Sequence, residues 1–248
     1  GEVTLLELTS AYAMIANGGL KISPSFIDTV HDRNGNLIFR HDNRKCQECI
    51  GPNADPLMPP EIPNEKERVA DPLYRYQLVS MMQGVVENGT GRRVRLTGRP
   101  LAGKTGTTNK SLDAWFVGFS SNLTVGVFVG FDQPRTLGPR EGGGRVAAPI
   151  FGRFMREAWP ILPGAPFKTP PGLEFVRVNR LNGLPAKQGD KNTVLEAFSP
   201  GTIPSANDNV IGAGLNENLG EMIPSILFDE DGDDEVREQD ISVQGRTN

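Results

Sequence analysis

The stretch DAWFVGFSSNLTVGVFVGFD, residues 113–132, constrains the fold more than any other part of the chain. Two runs dense in Val, Phe and Trp flank Ser121-Asn122. β-Branched and aromatic side chains suit a pleated, buried surface, and a short polar break between two such runs reads as a turn. The segment is therefore expected to form two antiparallel, mostly buried strands. RPLAGKTGTT, residues 99–108, comes just before it and reads as a further strand. Three strands in succession, with helical segments before and after, predict an α/β chain of the α+β kind. Its antiparallel sheet is flanked by helices and not built from alternating βαβ units.

The helices carry their own punctuation. In TLLELTSAYAMIANGG (4–19), Thr4 and Glu7 make a capping box. Leu5, Leu8, Tyr12 and Ile15 share a face, and Gly18-Gly19 end the helix. In DPLYRYQLVSMMQGVVENGTG (71–91), Asp71 is the cap, Pro72 the first helical residue and Asn88-Gly89 the stop. AAPIFGRFMREAWP (147–160) predicts a third amphipathic helix, with Ile150, Phe151, Phe154, Met155 and Trp159 on its apolar side. Between the first two helices, FIDTVHDRNGNLIFRH (26–41) predicts a hairpin with a two-residue turn at Asn34-Gly35. CQECIGPNADPLMPPEIPNEKE (46–67) reads as a long loop, and KTPPGLEFVRVNRLNG (168–183) as a short hairpin.

Charge divides the chain. Residues 205–248 hold 11 acidic and 2 basic residues, whereas residues 1–204 hold 19 acidic and 24 basic. An acidic segment such as FDEDGDDEVREQD buries too little apolar area to offset its ordering entropy, so a disordered tail is expected. The basic excess elsewhere is diffuse. GRRVRLTGR (91–99) has no interleaved aromatic residue, so a solvated face or substrate rim is expected and not a nucleic-acid site. No apolar run reaches the ~18 residues that a membrane-spanning helix needs.

Lys104-Thr105-Gly106-Thr107 is the chemically loaded stretch. In a strand, Lys104 and Gly106 share one face and Thr105 and Thr107 the other. A lysine and threonine hydroxyls together hold a carboxylate by charge and hydrogen bonds. Gly106, lacking Cβ, lets a ligand backbone come close, and a free edge N–H faces a developing oxyanion. The set reads as a platform for an extended peptide ending in a carboxylate. By composition alone, K-T-G reads as an exposed edge strand and not as a binding platform.

EVTLLELTSAYAMIANGG, GVVENGTG, AGKTGTT, DAWFVGF and AAPIFGRFM, taken in order, resemble the transpeptidase domain of class A penicillin-binding proteins, the bifunctional peptidoglycan synthases. The resemblance covers residues 1–160. It implies the fold of that domain, shared with serine β-lactamases and incomplete here at its N-terminal side. Residues 1–165 would be the C-terminal portion of the domain, 166–204 a small extension and 205–248 the acidic tail. It further implies that Lys104 acts in catalysis, adding positive charge and bonding the hydroxyl of an S-x-N motif. Thr105 supports the strand. Thr107 binds the substrate carboxylate through its hydroxyl and the oxyanion through its N–H, with Gly106 between them. The implied ligands are a peptidoglycan stem peptide ending in D-Ala-D-Ala and β-lactam antibiotics, with no cofactor, metal or nucleic acid. The implied location is the periplasmic side of the bacterial inner membrane, reached through an upstream anchor that a glycosyltransferase domain follows.

The family's nucleophile motif, S-x-x-K, is absent from these residues: Ser10 is followed by Ala13, Ser80 by Gln83 and Ser111 by Ala114. Ser120-Ser121-Asn122 spells S-x-N, but after K-T-G and at an expected turn, so Ser120 reads as turn chemistry. The chain begins with Gly1, which the resemblance would place inside the domain, past both motifs. Alone, the chain is expected not to acylate. The alternative is a non-catalytic module of the same fold that binds peptidoglycan or a protein. His31, His41, Cys46 and Cys49 cluster within residues 31–49 and invite a zinc reading. Hairpin parity sets the two histidines on opposite faces, so a local Cys46–Cys49 disulfide or free thiols are expected in preference to zinc or redox chemistry.

Overall fold

A computed structural model describes residues 2–44, 66–96, 99–162 and 164–205. Its centre is a three-stranded antiparallel sheet in chain order, β3 (Ala102–Thr107), β4 (Ala114–Phe119) and β5 (Thr124–Val129). Ala102 faces Phe119 across β3–β4, and Phe119 faces Thr124 across β4–β5. The turn between β4 and β5 centres on Ser121-Asn122, as the sequence implies. Ser120 Oγ accepts from the N–H groups of Asn122 and Leu123, at 3.3 and 3.2 Å, and Ser120 N–H donates to the Leu123 carbonyl. Its hydroxyl is thus committed to the turn, at the end of the sheet away from Thr107.

Two helices cover opposite faces of this sheet. Helix α1 (Leu5–Ala16) starts at the expected capping box, with Glu7 N–H donating to Thr4 Oγ1 and Thr4 N–H to the Glu7 carboxylate. It lies against Gly126, where an added Cβ would stand 2.1 Å from Thr9 Oγ1. Helix α3 (Ala147–Ala158) presses Phe151 onto Phe116, ring centroids 4.8 Å apart, over Gly118. Between them, helix α2 (Pro72–Asn88) runs beside β3 from a cap at Asp71, whose carboxylate accepts from Leu73 and Tyr74 N–H. It sends Val79 and Met82 into the core on the α1 side and Val86 into the core on the α3 side. Phe116, Phe119 and Phe151 have no exposed surface, and each contributes about 1.5–3 kcal/mol through burial.

The periodicity misassigned part of α3. Phe151, Met155 and Trp159 are buried together with Ala147, Ala148 and Gly152, whereas Ile150 and Phe154 are about half exposed. Small residues occupy the buried stripe because the helix sits close to the sheet and to Val94, 3.4 Å from where a Cβ on Gly152 would be.

The first hairpin also differs from expectation. Strands β1 (Thr29–His31) and β2 (Leu37–Arg40) pair Thr29 with Arg40 and His31 with Leu37. The turn is one residue longer than two. Asp32 anchors it by accepting from Asn34 N–H, Asn36 N–H and Asn36 Nδ2, and Gly35 has φ +86°. A register irregularity between Val30 and His31 offsets the extra residue. His41, whose N–H donates to the Asp28 carbonyl, therefore still falls by pairing on the face opposite His31. Cys46, Cys49, the long loop 46–67 apart from its last two residues, and the acidic tail beyond Ser205 lie outside the described residues.

The C-terminal hairpin is wider than its sequence implies: β6 (Glu174–Asn179) pairs with β7 (Thr193–Phe198). The chain does turn back at Asn182-Gly183, but only the Leu184 carbonyl, accepting from Asn179 N–H, and the Ala186 N–H, donating to the Arg177 carbonyl, bond to the other side of β6 before the chain crosses to β7. This unit rests on α2, with Gln77 Nε2 donating to the Ala197 carbonyl and Tyr76 edge-on to Phe175. Phe167, just before it, is buried against Phe119.

Candidate functional site

Strand β3 changes character along its length. Leu101 and Ala102 are buried, and Gly103 lies so close to Phe116 that a Cβ there would stand 2.8 Å from the ring. This apolar lead-in locks the strand into the core. Lys104 to Thr107 then emerge at the sheet edge, with Lys104 and Thr107 exposed and Thr105 and Gly106 half-buried. No described strand pairs with that edge.

The pairing sets which backbone groups face outward. Thr108 N–H donates to the Asp113 carbonyl at 3.1 Å, toward β4. Backbone N–H groups alternate sides along a strand, so Thr107 N–H points to the free edge. The turn that reverses the chain is closed by Asp113, whose N–H donates to Thr108 Oγ1 at 2.8 Å. Lys104 Nζ curls to that same edge and donates to the Thr105 carbonyl at 3.0 Å.

The two threonine hydroxyls are handled differently. Thr105 Oγ1 is 2.7 Å from Thr90 Oγ1, in the segment that follows α2. Thr107 Oγ1 accepts from Gly143 N–H at 3.0 Å and remains exposed. Gly106 was expected to admit a ligand backbone. On the Thr107 face the close approach is made by the protein itself: a Cβ on Gly143 would stand 2.5 Å from the Gly106 carbonyl oxygen and 2.3 Å from that of Trp115. On the other face a Cβ on Gly106 would lie 3.1 Å from Trp115 Cβ.

All four residues singled out in the sequence thus sit together on one free edge. Thr90 and Gly142–Gly144 were not assigned a role. The signal for the second was legible, since three glycines in a row before a helix imply a close backbone approach. The signal for the first was not, because nothing local links Thr90 to Thr105. Among the described residues, no group of three or more His, Cys, Asp and Glu is placed to hold a metal ion. No helix among them is long and apolar enough to cross a membrane.

Comparisons with known proteins identify the family and the fold. The penicillin binding protein transpeptidase domain family matches residues 2–156. Penicillin-binding protein 1A of Rickettsia prowazekii is 41% identical over 229 residues, 91% of this chain and 28% of the relative. Its counterpart in Pseudomonas aeruginosa is 35% identical over 237 residues, covering 83% of this chain and 29% of that one. The chain therefore spans under a third of the length of these curated relatives. Among solved structures, penicillin-binding protein 1A from Haemophilus influenzae superposes with a TM-score of 0.67 at 30% identity, over 82% of this chain and 33% of that one. PonA1 from Mycobacterium tuberculosis shares the fold, with a TM-score of 0.54 at 22% identity, over 83% of this chain and 46% of that one. The chain belongs to the penicillin-binding protein transpeptidase domain family, among its class A members.

Proposed function

We propose that this chain supplies one wall of the substrate site of a serine D,D-transpeptidase that cross-links peptidoglycan. The observation that carries the reading is the free edge of β3. There an exposed Thr107 hydroxyl, an outward Thr107 N–H and the Lys104 ammonium converge within one turn of strand. A stem peptide ending in D-Ala-D-Ala lies along this edge as an added strand. Its terminal carboxylate takes a hydrogen bond from Thr107 Oγ1 and its scissile carbonyl one from Thr107 N–H. Lys104 adds the positive charge that favours both anionic groups. β-Lactams occupy the same edge.

The chemistry runs in two steps. A serine oxygen, supplied by sequence upstream of Gly1, attacks the scissile carbonyl. The bond to the last D-alanine breaks, and the serine proton leaves on the alanine nitrogen. An amine of a neighbouring stem then attacks the serine ester, forming the new amide and returning a proton to the serine oxygen. An upstream membrane anchor and glycosyltransferase domain place this reaction on the periplasmic side of the inner membrane.

The test uses the complete reading frame that encodes this chain, which is expected to contain S-x-x-K and then S-x-N upstream of the Gly1 codon. Thr107→Val is expected to slow acylation by labelled penicillin through loss of the carboxylate bond, a change of about 1–3 kcal/mol. Unchanged labelling would overturn the role of Thr107. An open frame lacking both motifs would make the domain a non-catalytic binding module.

A further inference from the structure

The glycine run Gly142-Gly143-Gly144 lies directly against the site strand, and each member meets a different part of it. A Cβ on Gly142 would stand 2.8 Å from Thr107 Oγ1 and 3.4 Å from Thr107 Cγ2. A Cβ on Gly143 would strike the Gly106 and Trp115 carbonyl oxygens. A Cβ on Gly144 would stand 2.7 Å from the carbonyl oxygen of Thr90, whose hydroxyl bonds that of Thr105. The segment is fixed from both sides. Gly142 N–H donates to the Arg140 carbonyl at 3.0 Å, and Val146 and Ala148 N–H donate back to Gly142 and Gly143 at 2.9 and 2.8 Å, joining the run to the start of α3.

A hydroxyl has one proton to give and two lone pairs to receive. Gly143 N–H occupies one lone pair of Thr107 Oγ1 at 3.0 Å. The hydroxyl proton must then point away from Gly143, because two donors repel. Thr107 is exposed on its remaining side, so that proton is directed to whatever anion lies at the free edge. Thr105 differs, since its hydroxyl is already paired with Thr90 inside the protein. Two threonines that are alike in sequence are thus divided into a structural one and a ligand-facing one.

We propose that Gly142–Gly144 is a positioning element for carboxylate recognition: it sets the rotamer and the proton direction of Thr107, and through Thr90 it holds Thr105 out of the ligand's way. The inference rests on the reading of Thr107 given above. Its consequence is selectivity. The run matters most for donors that carry a terminal carboxylate.

The experiment measures acylation of the complete protein by two thioester donors, one with a terminal carboxylate and one with a neutral methyl ester in its place. The readout is the ratio of their kcat/KM values. Gly142→Ala is the informative variant, because its Cβ meets the tip of the Thr107 side chain and not backbone. It is expected to lower that ratio about tenfold, the loss of one charge-assisted hydrogen bond. Combined with Thr107→Val, which already lacks the hydroxyl that the added Cβ meets at 2.8 Å, Gly142→Ala is expected to lower the ratio no further. Equal losses on both donors, or a further fall of the ratio in the Thr107→Val background, would reduce the run to packing and overturn the proposal. The ratio measured in Thr107→Val separates the two levels. If that variant keeps the parent's preference for the carboxylate, the reading of Thr107 itself fails.

Discussion

Lys110 and Ser111, in the turn between β3 and β4, have φ values of 62° and 51°, a left-handed backbone that side chains with a Cβ rarely adopt. The turn is held by Ser111 N–H to the Thr108 carbonyl and by Leu137 N–H to the Ser111 carbonyl, at 3.1 and 2.8 Å. Left-handed geometry costs a non-glycine residue roughly 1–2 kcal/mol, and the freedom glycine loses on folding takes back part of any gain. Lys110→Gly is therefore expected to raise stability by about 0.5 kcal/mol, read as a higher unfolding midpoint in urea. A lower midpoint would mean that the Lys110 side chain contributes contacts that outweigh the strain. At this scale the sequence singled out four residues that the fold carries to one free edge, because hydroxyls, a cation and a glycine in one strand have few uses together. Their spacing put Thr105 and Thr107 on one face and did not tell them apart; only the family resemblance did. That difference comes from Thr90 and Gly143, which are 15 and 36 positions away along the chain.

Among elements, α1 was the most legible, since a capping box acts within four residues and needs no tertiary partner. Its docking was not legible. Gly126 of β5 leaves the hollow into which Thr9 fits, with Leu5 Cδ1 beside it. Gly126→Ala is expected to push the helix off the sheet and cost about 1–3 kcal/mol. Thr9→Ala in the same protein is expected to recover most of that loss in thermal unfolding, and an additive loss would place the clash elsewhere. The C-terminal hairpin offers a pH test. Burial raises the Glu196 carboxyl above its ordinary value, and a hydrogen bond with Ser80 offsets part of this. The folded state therefore holds this proton more tightly than the unfolded chain. Its contribution is fully present below the ordinary carboxylate range and is lost as pH rises through the raised value. Glu196→Gln is expected to match the parent in acid and to exceed it in stability at neutral pH. A variant no more stable at neutral pH than in acid, relative to the parent, would show that the carboxylate is solvated.

For the molecule as a whole, Phe167 joins the C-terminal unit to the core, through its edge-on contact with Phe119 at 5.6 Å. Phe167→Ala is expected to cost about 3 kcal/mol and to expose residues 168–205 to proteolysis before the sheet unfolds. Simultaneous loss of both parts would mean that they unfold as one unit. What the sequence determined by itself is local: helix caps, strand propensity, the β4–β5 turn and the composition of the site strand, each set by neighbours a few residues apart. Its apolar periodicity located α3 but overstated its buried face, because Gly152 and two alanines, not Ile150 and Phe154, fit a helix lying this close to a sheet. Only the tertiary structure decided which edge of β3 stays open, which distant partner each threonine hydroxyl takes and how closely the glycine run approaches the strand. Those properties belong to backbone surfaces meeting across long separations, where hydrogen-bond direction and the room for a single Cβ are fixed by packing and not by the residues in sequence order.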